Sequence, residues 1–160
     1  MMASINKNIK VTTIEKDTVR YLEAGSNIQK YNLNKQIKII NKDATEVEIN
    51  DKFDLIFIDA SKGKNTFFFN KFKDNLNKNG TIITDNLSFH GLVEDESLIK
   101  TKNQRGIVNK IKDFKSFLDN NEEFNFKQAL ESVSYPDLIH WKKENLLTNW
   151  VSIRRKKLVG

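Results

Sequence analysis

The chain has 160 residues, of which 38% are hydrophobic and 30% are charged, and its formal net charge is +6. This length fits one domain with a buried core, and eleven phenylalanines argue against a disordered chain. Cysteine is absent, which excludes disulfides, thiolate zinc sites and cysteine nucleophiles and fits the reducing cytoplasm. No apolar run approaches the roughly 18 residues of a membrane span, and the first residues lack the apolar stretch of a secretory signal. We therefore expect a cytoplasmic protein of one domain.

The surplus of lysine and arginine leaves two interpretations open. A basic surface favours a polyanionic partner such as RNA. Asparagine and lysine are, however, abundant throughout the chain, as AT-rich genomes produce them, and this bias alone can supply the excess charge. The net charge by itself favours RNA only slightly.

Strand-like and helix-like segments alternate along the first half of the chain. Residues 9–15 form a β-rich run that ends in an acid, and Asp17 can cap a helix that extends to about Tyr31. Residues 37–40 predict a second strand. The clearest strand covers residues 53–59, whose nearly continuous apolar run is typical of a parallel strand covered on both faces.

The second half continues this alternation with two helices and three further strands. The helices are predicted at about 66–77 and 103–119, and the strands at 81–85, 124–130 and 150–154. The side chains expected to face the core are Phe68, Phe72 and Leu76 in the first helix, and Ile107, Ile111, Phe114 and Leu118 in the second. No internal repeat or linker interrupts the pattern, which indicates an α/β domain with a mostly parallel sheet.

Two of the predicted strands end in an acidic side chain. Asp59 ends the run FDLIFID, and Asp85 with Asn86 ends TIITDN. Ligands of open α/β sheets bind beyond the carboxyl ends of the strands, and neighbouring strands lie about 4.8 Å apart. Two carboxylates and an amide oxygen form a set that suits Mg²⁺ or Ca²⁺. A lone acid at such a place more often caps the following helix, so a metal site and a structural role both remain open.

Two further side chains allow either a functional or a structural interpretation. Lys62 follows Asp59 in the same loop, and a loop lysine is usually a solvated surface charge. Beside a bound cation and a substrate hydroxyl, the same lysine becomes a candidate base. Glu15 ends the first strand, where an acid can hold the two hydroxyls of a ribose or stabilise the start of the next helix.

The strings FDLIFIDASKGKNTFFFNKF and NGTIITDNLSFHGLV resemble the metal-dependent O-methyltransferases that use S-adenosylmethionine (SAM). This family includes the catechol and caffeoyl-CoA enzymes and the bacterial tRNA 5-hydroxyuridine methyltransferases. The segments VTTIEKD and KYNLNKQIKIINKDA and the helix from Arg105 extend the resemblance over roughly residues 9–130. D-A-x-K and T-D-N at this separation are specific as a pair, whereas either motif alone is not. TDNLSFHGLV followed by a basic helix is most similar to the tRNA-modifying branch.

The resemblance implies a Rossmann-like class I methyltransferase sheet and two cofactors, SAM and Mg²⁺. The residues that it implies are Asp59, Asp85 and Asn86 for Mg²⁺, Glu15, Asp43, Ala44 and Asp59 for SAM, and Lys62 for the substrate hydroxyl. The implied acceptor is the 5-hydroxyl of a tRNA wobble 5-hydroxyuridine, with a small hydroxylated aromatic as the nearest variant. A homodimer is compatible with the resemblance, and a membrane partner is not expected.

One part of the family pattern is missing from the sequence. In the family, the first strand ends in a glycine-rich turn that approaches the methionine half of SAM, and here no glycine precedes Glu15. We therefore expect a single, N-terminally truncated domain over residues 1–160, with a sheet that is open where the first strand is lacking. Losing two or three charge-assisted hydrogen bonds, each worth about 1.5–3 kcal/mol, weakens SAM binding about a hundredfold or more. The alternative is a non-catalytic remnant that binds RNA weakly.

Overall fold

The computed structural model describes residues 6–59, 61–85, 87–129 and 150–155, with the backbone alone at Lys62, 127–129 and 150–155. Its elements are β1 (Val11–Ile14), α1 (Thr18–Lys30), β2 (Ile37–Ile40), β3 (Phe53–Ile58), α2 (Asn65–Phe72), β4 (Leu76–Thr84), α3 (Lys102–Asp119), β5 (Phe124–Ala129) and β6 (Trp150–Arg155). The predicted alternation of strands and helices is confirmed, including the two strands near the carboxyl terminus. Residues 130–149 lie outside the described part of the chain.

The strands form two separate sheets. β1 and β2 pair in parallel, in register from Val11 opposite Ile37 to Ile14 opposite Ile40. The second sheet has the order β3-β4-β6-β5, in which β3 and β4 are parallel and β6 pairs antiparallel with both β4 and β5. The predicted α/β class with parallel strands is therefore confirmed, with an antiparallel C-terminal pair added to it.

Each sheet belongs to its own compact unit of the chain. The first unit covers Met1–Ile49 and the second covers Asn50–Gly160. The expectation of a single domain over residues 1–160 stays a prediction.

None of the helices in the described part of the chain is both long and apolar enough to cross a bilayer.

The first unit has a small apolar core between α1 and its two strands. The side chain of Asp17 accepts a hydrogen bond from the backbone N–H of Arg20 at 2.9 Å, which caps α1 as predicted. Ile28 and Leu33 are buried, and partly buried side chains of β1 and β2 pack against them. The two short strands bury only part of the apolar surface of α1, and the side chain of Val19 in this helix remains 75% exposed.

The core of the second unit is built around one aromatic ring. Phe69 of α2 is fully buried, and its ring lies 5.1 Å from that of Phe124, 5.6 Å from Phe117 and 6.3 Å from Phe114, all edge-to-face. Aromatic pairs favour this geometry because the positive ring edge meets the negative ring face. α3 closes the core with the buried side chains of Val108, Ile111, Phe114 and Leu118.

The predicted stripe of Phe68, Phe72 and Leu76 is partly wrong. α2 ends at Phe72, one 3₁₀ turn follows, and Leu76 is the first residue of β4 rather than the last turn of a helix. Two asparagine side chains connect this segment to the chain around the start of β3: Asn75 Nδ2, at the end of the 3₁₀ turn, donates to the backbone oxygen of Asp51 at 2.9 Å, and Asn77 Nδ2, in β4, donates to Asp54 Oδ1 at 2.7 Å. Contacts with the start of β3 therefore override the local helical periodicity.

The expectation that β3 is covered on both faces is also wrong. Leu55 and Phe57, which share one face, are 42% and 39% exposed, whereas Ile58 on the other face is buried. Alternate residues of a strand lie on opposite faces, so a continuous apolar run does not itself say which face is covered. Here α2 and α3 pack against each other, and one face of β3 remains open to solvent.

Gly80 lies in the irregular first half of β4, where the register with β3 shifts between Phe53 and Leu55. A methyl group at this position would lie 2.7 Å from Leu76 Cδ1 and 3.0 Å from the backbone oxygen of Asp54. We expect Gly80→Ala to lower the free energy of unfolding by about 1–3 kcal/mol, because the strand must shift to admit the methyl group.

Urea unfolding of Gly80→Ala beside Gly106→Ala checks this expectation. Nothing lies within 4 Å of a methyl group added at Gly106 in α3, so that control should gain up to about 1 kcal/mol from lost chain entropy. Equal unfolding midpoints for Gly80→Ala and the unsubstituted protein would contradict the close packing.

Candidate active site

Asp59 and Asp85 lie at the same edge of the second sheet. Ile58 is directly opposite Thr84 in the parallel pair β3–β4, and each aspartate follows one of these two residues. The backbone N–H of Asp85 donates to the oxygen of Ile58 at 3.2 Å, which continues the ladder into the loop. Asp59 is exposed and Asp85 is half-buried. The two strands are therefore neighbours, as the metal site requires, while metal binding itself stays a prediction.

The other members of the predicted site are described only in part. Asn86 lies outside the described residues. The backbone of Lys62 lies in a single 3₁₀ turn, Lys62–Lys64, between β3 and α2, and its side chain is outside the described part. No group of three or more His, Asp or Glu side chains among the described residues could hold a metal ion. The third predicted ligand, the amide oxygen of Asn86, belongs to this undescribed part, so the complete ligand set stays a prediction.

Two buried polar side chains, Thr84 and Asn65, lie close in sequence to the residues of the candidate site. In the described part of the molecule, Thr84 Oγ1 and Asn65 Nδ2 are buried without a hydrogen-bond partner. A buried polar group left unpaired costs about 1–3 kcal/mol, so such groups are expected where a ligand completes the bonding. Neither residue is among the site residues predicted from the sequence. The only signal was their position, with Thr84 directly before Asp85 and Asn65 at the first position of α2.

In the first unit, Glu15 and Asn41 follow the paired residues Ile14 and Ile40 at the carboxyl end of the two-stranded sheet. Asn41 Nδ2 donates to the backbone oxygen of Glu15 at 2.8 Å. The carboxylate of Glu15 accepts from the backbone N–H of Asp17 at 2.9 Å, so it supports the start of α1. This contact agrees with the structural alternative, in which Glu15 stabilises the start of the next helix. The binding of a ribose by Glu15 stays a prediction. Asn41 was missed, although it ends its strand as Glu15 does.

Asp43 and Ala44 form a turn after β2. Asp43 Oδ1 accepts hydrogen bonds from the backbone N–H of Thr45 at 2.9 Å and from its hydroxyl at 2.8 Å. Lys16 Nζ lies 3.9 Å from the other carboxylate oxygen of Asp43, and Ala44 is half-buried. The aspartate therefore fixes the shape of the turn, and the contact of both residues with adenine stays a prediction.

The loop after Asp85 has an unusual backbone. Phe89, His90 and Gly91 have successive φ angles of 49°, 59° and 84°. The left-handed region is unfavourable for residues with a side chain, and such residues persist only where surrounding contacts hold them. The hydroxyl of Ser88 supplies these contacts, since it accepts from the N–H of Gly91 at 2.9 Å and donates to Glu94 at 2.7 Å.

Ion pairs connect this loop to α3. Glu96 accepts hydrogen bonds from Lys112 and from Arg105 Nη1, the latter at 3.1 Å. Glu94 lies 3.9 Å from Lys115. The hydrogen bond and positive charge of Lys112, followed by those of Arg105, lower the pKa of Glu96. The two ion pairs of Glu96 therefore contribute fully to stability above the unfolded-state pKa of Glu96. This contribution is lost as the pH falls through the lowered pKa that Glu96 has in the folded protein.

Comparison with known proteins agrees with this arrangement. Residues 1–128 match the sequence profile of the O-methyltransferase family. A candidate caffeoyl-CoA O-methyltransferase from Staphylococcus aureus is 31% identical, with a TM-score of 0.77, and the match covers 95% of this chain and 68% of that one.

Two SAH-bound structures share the fold at lower identity. The O-methyltransferase from Bacillus cereus is 22% identical with a TM-score of 0.69, and the match covers 92% of this chain and 63% of that one. The Podospora anserina methyltransferase PaMTH1 is 19% identical with a TM-score of 0.71, with coverage of 92% and 61%. The chain thus spans somewhat less than two thirds of the length of these two structures.

The predicted Rossmann-like class I methyltransferase fold is confirmed by these similarities. The predicted enzyme family is confirmed as well, because the profile match extends over residues 1–128 of 160 and the S. aureus protein is 31% identical over most of this chain. With its two strand-end aspartates in register, this chain belongs to the O-methyltransferase family.

Proposed function

We propose that this chain is a SAM- and Mg²⁺-dependent O-methyltransferase that acts on the 5-hydroxyl of the wobble 5-hydroxyuridine of tRNA. The observation that carries this proposal is the in-register placement of Asp59 and Asp85 at the ends of two paired parallel strands. SAH in the B. cereus and P. anserina structures supports SAM as the methyl donor. A cytoplasmic location is part of the same proposal.

The donor set at this edge fits a hard divalent cation. Two carboxylates on neighbouring strands, with the amide oxygen of Asn86, match the oxygen ligands that Mg²⁺ prefers and leave positions open for substrate. When bound, Mg²⁺ supplies Lewis acidity that favours the ionised form of the acceptor hydroxyl at neutral pH. The pairing of Ile58 with Thr84 brings the backbones of the two following aspartates to the same edge of the sheet, which supports a shared ion.

The remaining predicted residues bind and orient the two substrates. Glu15 would hold the ribose hydroxyls of SAM, and Asp43 and Ala44 would lie beside its adenine. Lys62, in the turn after Asp59, would accept the proton of the acceptor hydroxyl as a neutral amine, the form that a nearby bound cation favours. Methyl transfer requires the acceptor oxygen in line with the methyl group at about 3–3.5 Å, so these contacts act through alignment.

The choice of tRNA as acceptor is supported by the net charge of +6 and by the resemblance of TDNLSFHGLV to the tRNA-modifying branch. A nucleic acid partner needs cations that neutralise its phosphates, and α3 carries several of them. A small hydroxylated aromatic is the alternative acceptor, because it uses the same fold and the same site. A homodimer remains part of the proposal and is testable by light scattering.

A second candidate, a remnant without catalysis, is favoured by one feature of the sequence. No glycine precedes Glu15, so the glycine-rich turn that contacts the methionine half of SAM in the family is missing from these residues. We propose that these residues bind SAM weakly on their own, because they lack the backbone contacts of that turn.

Calorimetric titration with SAM and a labelled-methyl assay test the proposed function together. The substrates are tRNA containing 5-hydroxyuridine and a catechol, each with Mg²⁺ or with a chelator, and the S. aureus relative is assayed in parallel. We expect SAM to bind about a hundredfold or more weaker than it binds the relative, with slow, chelator-sensitive methylation of the tRNA.

Each other outcome contradicts one part of the proposal. Methylation of catechol but not of tRNA would make the acceptor a small molecule. No SAM binding and no transfer would leave the non-catalytic remnant. Rapid, chelator-sensitive transfer would show that these residues hold SAM without the glycine-rich turn.

A further inference from the structure

The side chain of Lys110, on α3, lies against the loop that follows Asp59. A methyl group added to Gly63, the middle residue of the Lys62–Lys64 turn, would lie 3.2 Å from Lys110 Cδ and 3.5 Å from its Nζ. The missing side chain at Gly63 gives the lysine room to lie on the turn. Lys110 therefore brings a positive charge to the loop of the candidate active site.

The cations of α3 differ in whether a carboxylate already holds them. Three are held by the loop after Asp85: Arg105 and Lys112 by Glu96, and Lys115 by Glu94. Lys110 is exposed, and among the described residues no carboxylate lies within ion-pair distance of it. An incoming anion can bind this ammonium group without breaking an existing pair, whereas Arg105 would first have to leave Glu96.

A second lysine adds charge to the same turn. Lys64 is its last residue, its side chain is exposed, and no ion pair holds it within the described part of the chain. The turn also lies between Asp59 and the start of α2. Lys64 and Lys110 together make this loop a place where positive charge is available near the proposed reaction.

We propose that Lys110, assisted by Lys64, binds a phosphodiester of the methyl acceptor and so selects a nucleic acid over an uncharged aromatic. This role rests on the proposed function, since it names the substrate class of the same site. Lysine binds phosphate as a mobile point charge. In RNA, the nucleotide whose base carries the reactive hydroxyl also carries a phosphodiester. A catechol has no phosphodiester.

Binding of an RNA stem-loop that contains 5-hydroxyuridine, followed by fluorescence anisotropy over a range of salt concentrations, tests this role. We expect Lys110→Ala to weaken RNA binding about three- to tenfold at low salt and to reduce the slope of log affinity against log salt by about 0.7–1. Lys110→Arg should retain most of the affinity, because the positive charge is kept.

Lys78→Ala is the matched control. It removes the same charge from the same unit, but Lys78 is exposed near the start of β4, at the end of the strand remote from Asp85. Its RNA affinity should stay within about twofold of the unsubstituted protein, and circular dichroism melts should show that both alanine variants are folded.

Equal losses for Lys110→Ala and Lys78→Ala would overturn the role of Lys110, because binding would then follow net charge alone. Absence of RNA binding by the unsubstituted chain at low salt would overturn it too. Neither result changes SAM titration or Mg²⁺ binding, so failure of this inference is distinguishable from failure of the proposed methyltransferase function.

Discussion

Replacing Phe69 by alanine is expected to lower the free energy of unfolding by about 3–5 kcal/mol. The ring is fully buried and makes edge-to-face contacts with three other phenylalanine rings, from α3 and from the start of β5. Removing it leaves a cavity among groups that belong to three different elements, so no single shift can close it. Chemical denaturation followed by tryptophan fluorescence and circular dichroism measures the loss.

Phe67→Ala is the control for this substitution. Phe67 lies two residues away in the same helix and is 47% exposed, so its removal deletes the same atoms from a largely solvated position. We expect a change below about 1 kcal/mol there. Similar losses for Phe67→Ala and Phe69→Ala would mean that the aromatic cluster is not the centre of the core.

The second large effect concerns the two strand-end aspartates. Asp59→Asn and Asp85→Asn each keep the shape of the side chain but remove a negative charge from the proposed cation site. We expect each to weaken Mg²⁺ binding by at least about 100-fold, since even residues that only orient a metal ligand contribute about 10- to 100-fold. Calorimetric titration with Mg²⁺ measures this directly, without requiring methyl transfer.

Asp51→Asn provides the matched control for the aspartates. Asp51 is exposed and precedes β3, so it lies at the opposite end of that strand from Asp59. Mg²⁺ affinity should be unchanged in this variant, and all three proteins should give the same circular dichroism spectrum. If the two strand-end variants bound Mg²⁺ as tightly as Asp51→Asn does, the cation site would have to lie elsewhere.

The ion pairs between Glu96 and α3 affect the choice of the residue to substitute when RNA binding by this helix is tested. The sequence of this basic helix does not distinguish among its lysines and arginines as phosphate ligands. In the structure, Arg105 and Lys112 hold the loop that follows Asp85. Reversing the charge of Arg105 would therefore disturb this loop as well as any RNA contact, which makes Lys110 the more informative position.

Local sequence signals were sufficient for the order of elements and for the candidate chemistry. Asp17 caps α1 as predicted because a cap depends only on hydrogen bonds within one turn. The strand β3 and the acid that follows it could be predicted from the sequence, because the apolar pattern of a strand extends over only a few consecutive residues. The resemblance of the two strand-end motifs led to the O-methyltransferase family, which the profile match confirms.

The kinds of elements, their order and the family therefore followed from local patterns in the sequence. The folded structure established which strands are neighbours, so that Ile58 lies opposite Thr84 and two aspartates far apart in the chain share an edge of the sheet. It also decided that Phe69 rather than Phe72 lies at the centre of the core, that α2 stops before Leu76, and that Glu96 holds Arg105. These features depend on contacts between residues far apart in the chain, and local propensity contributes less free energy than such packing.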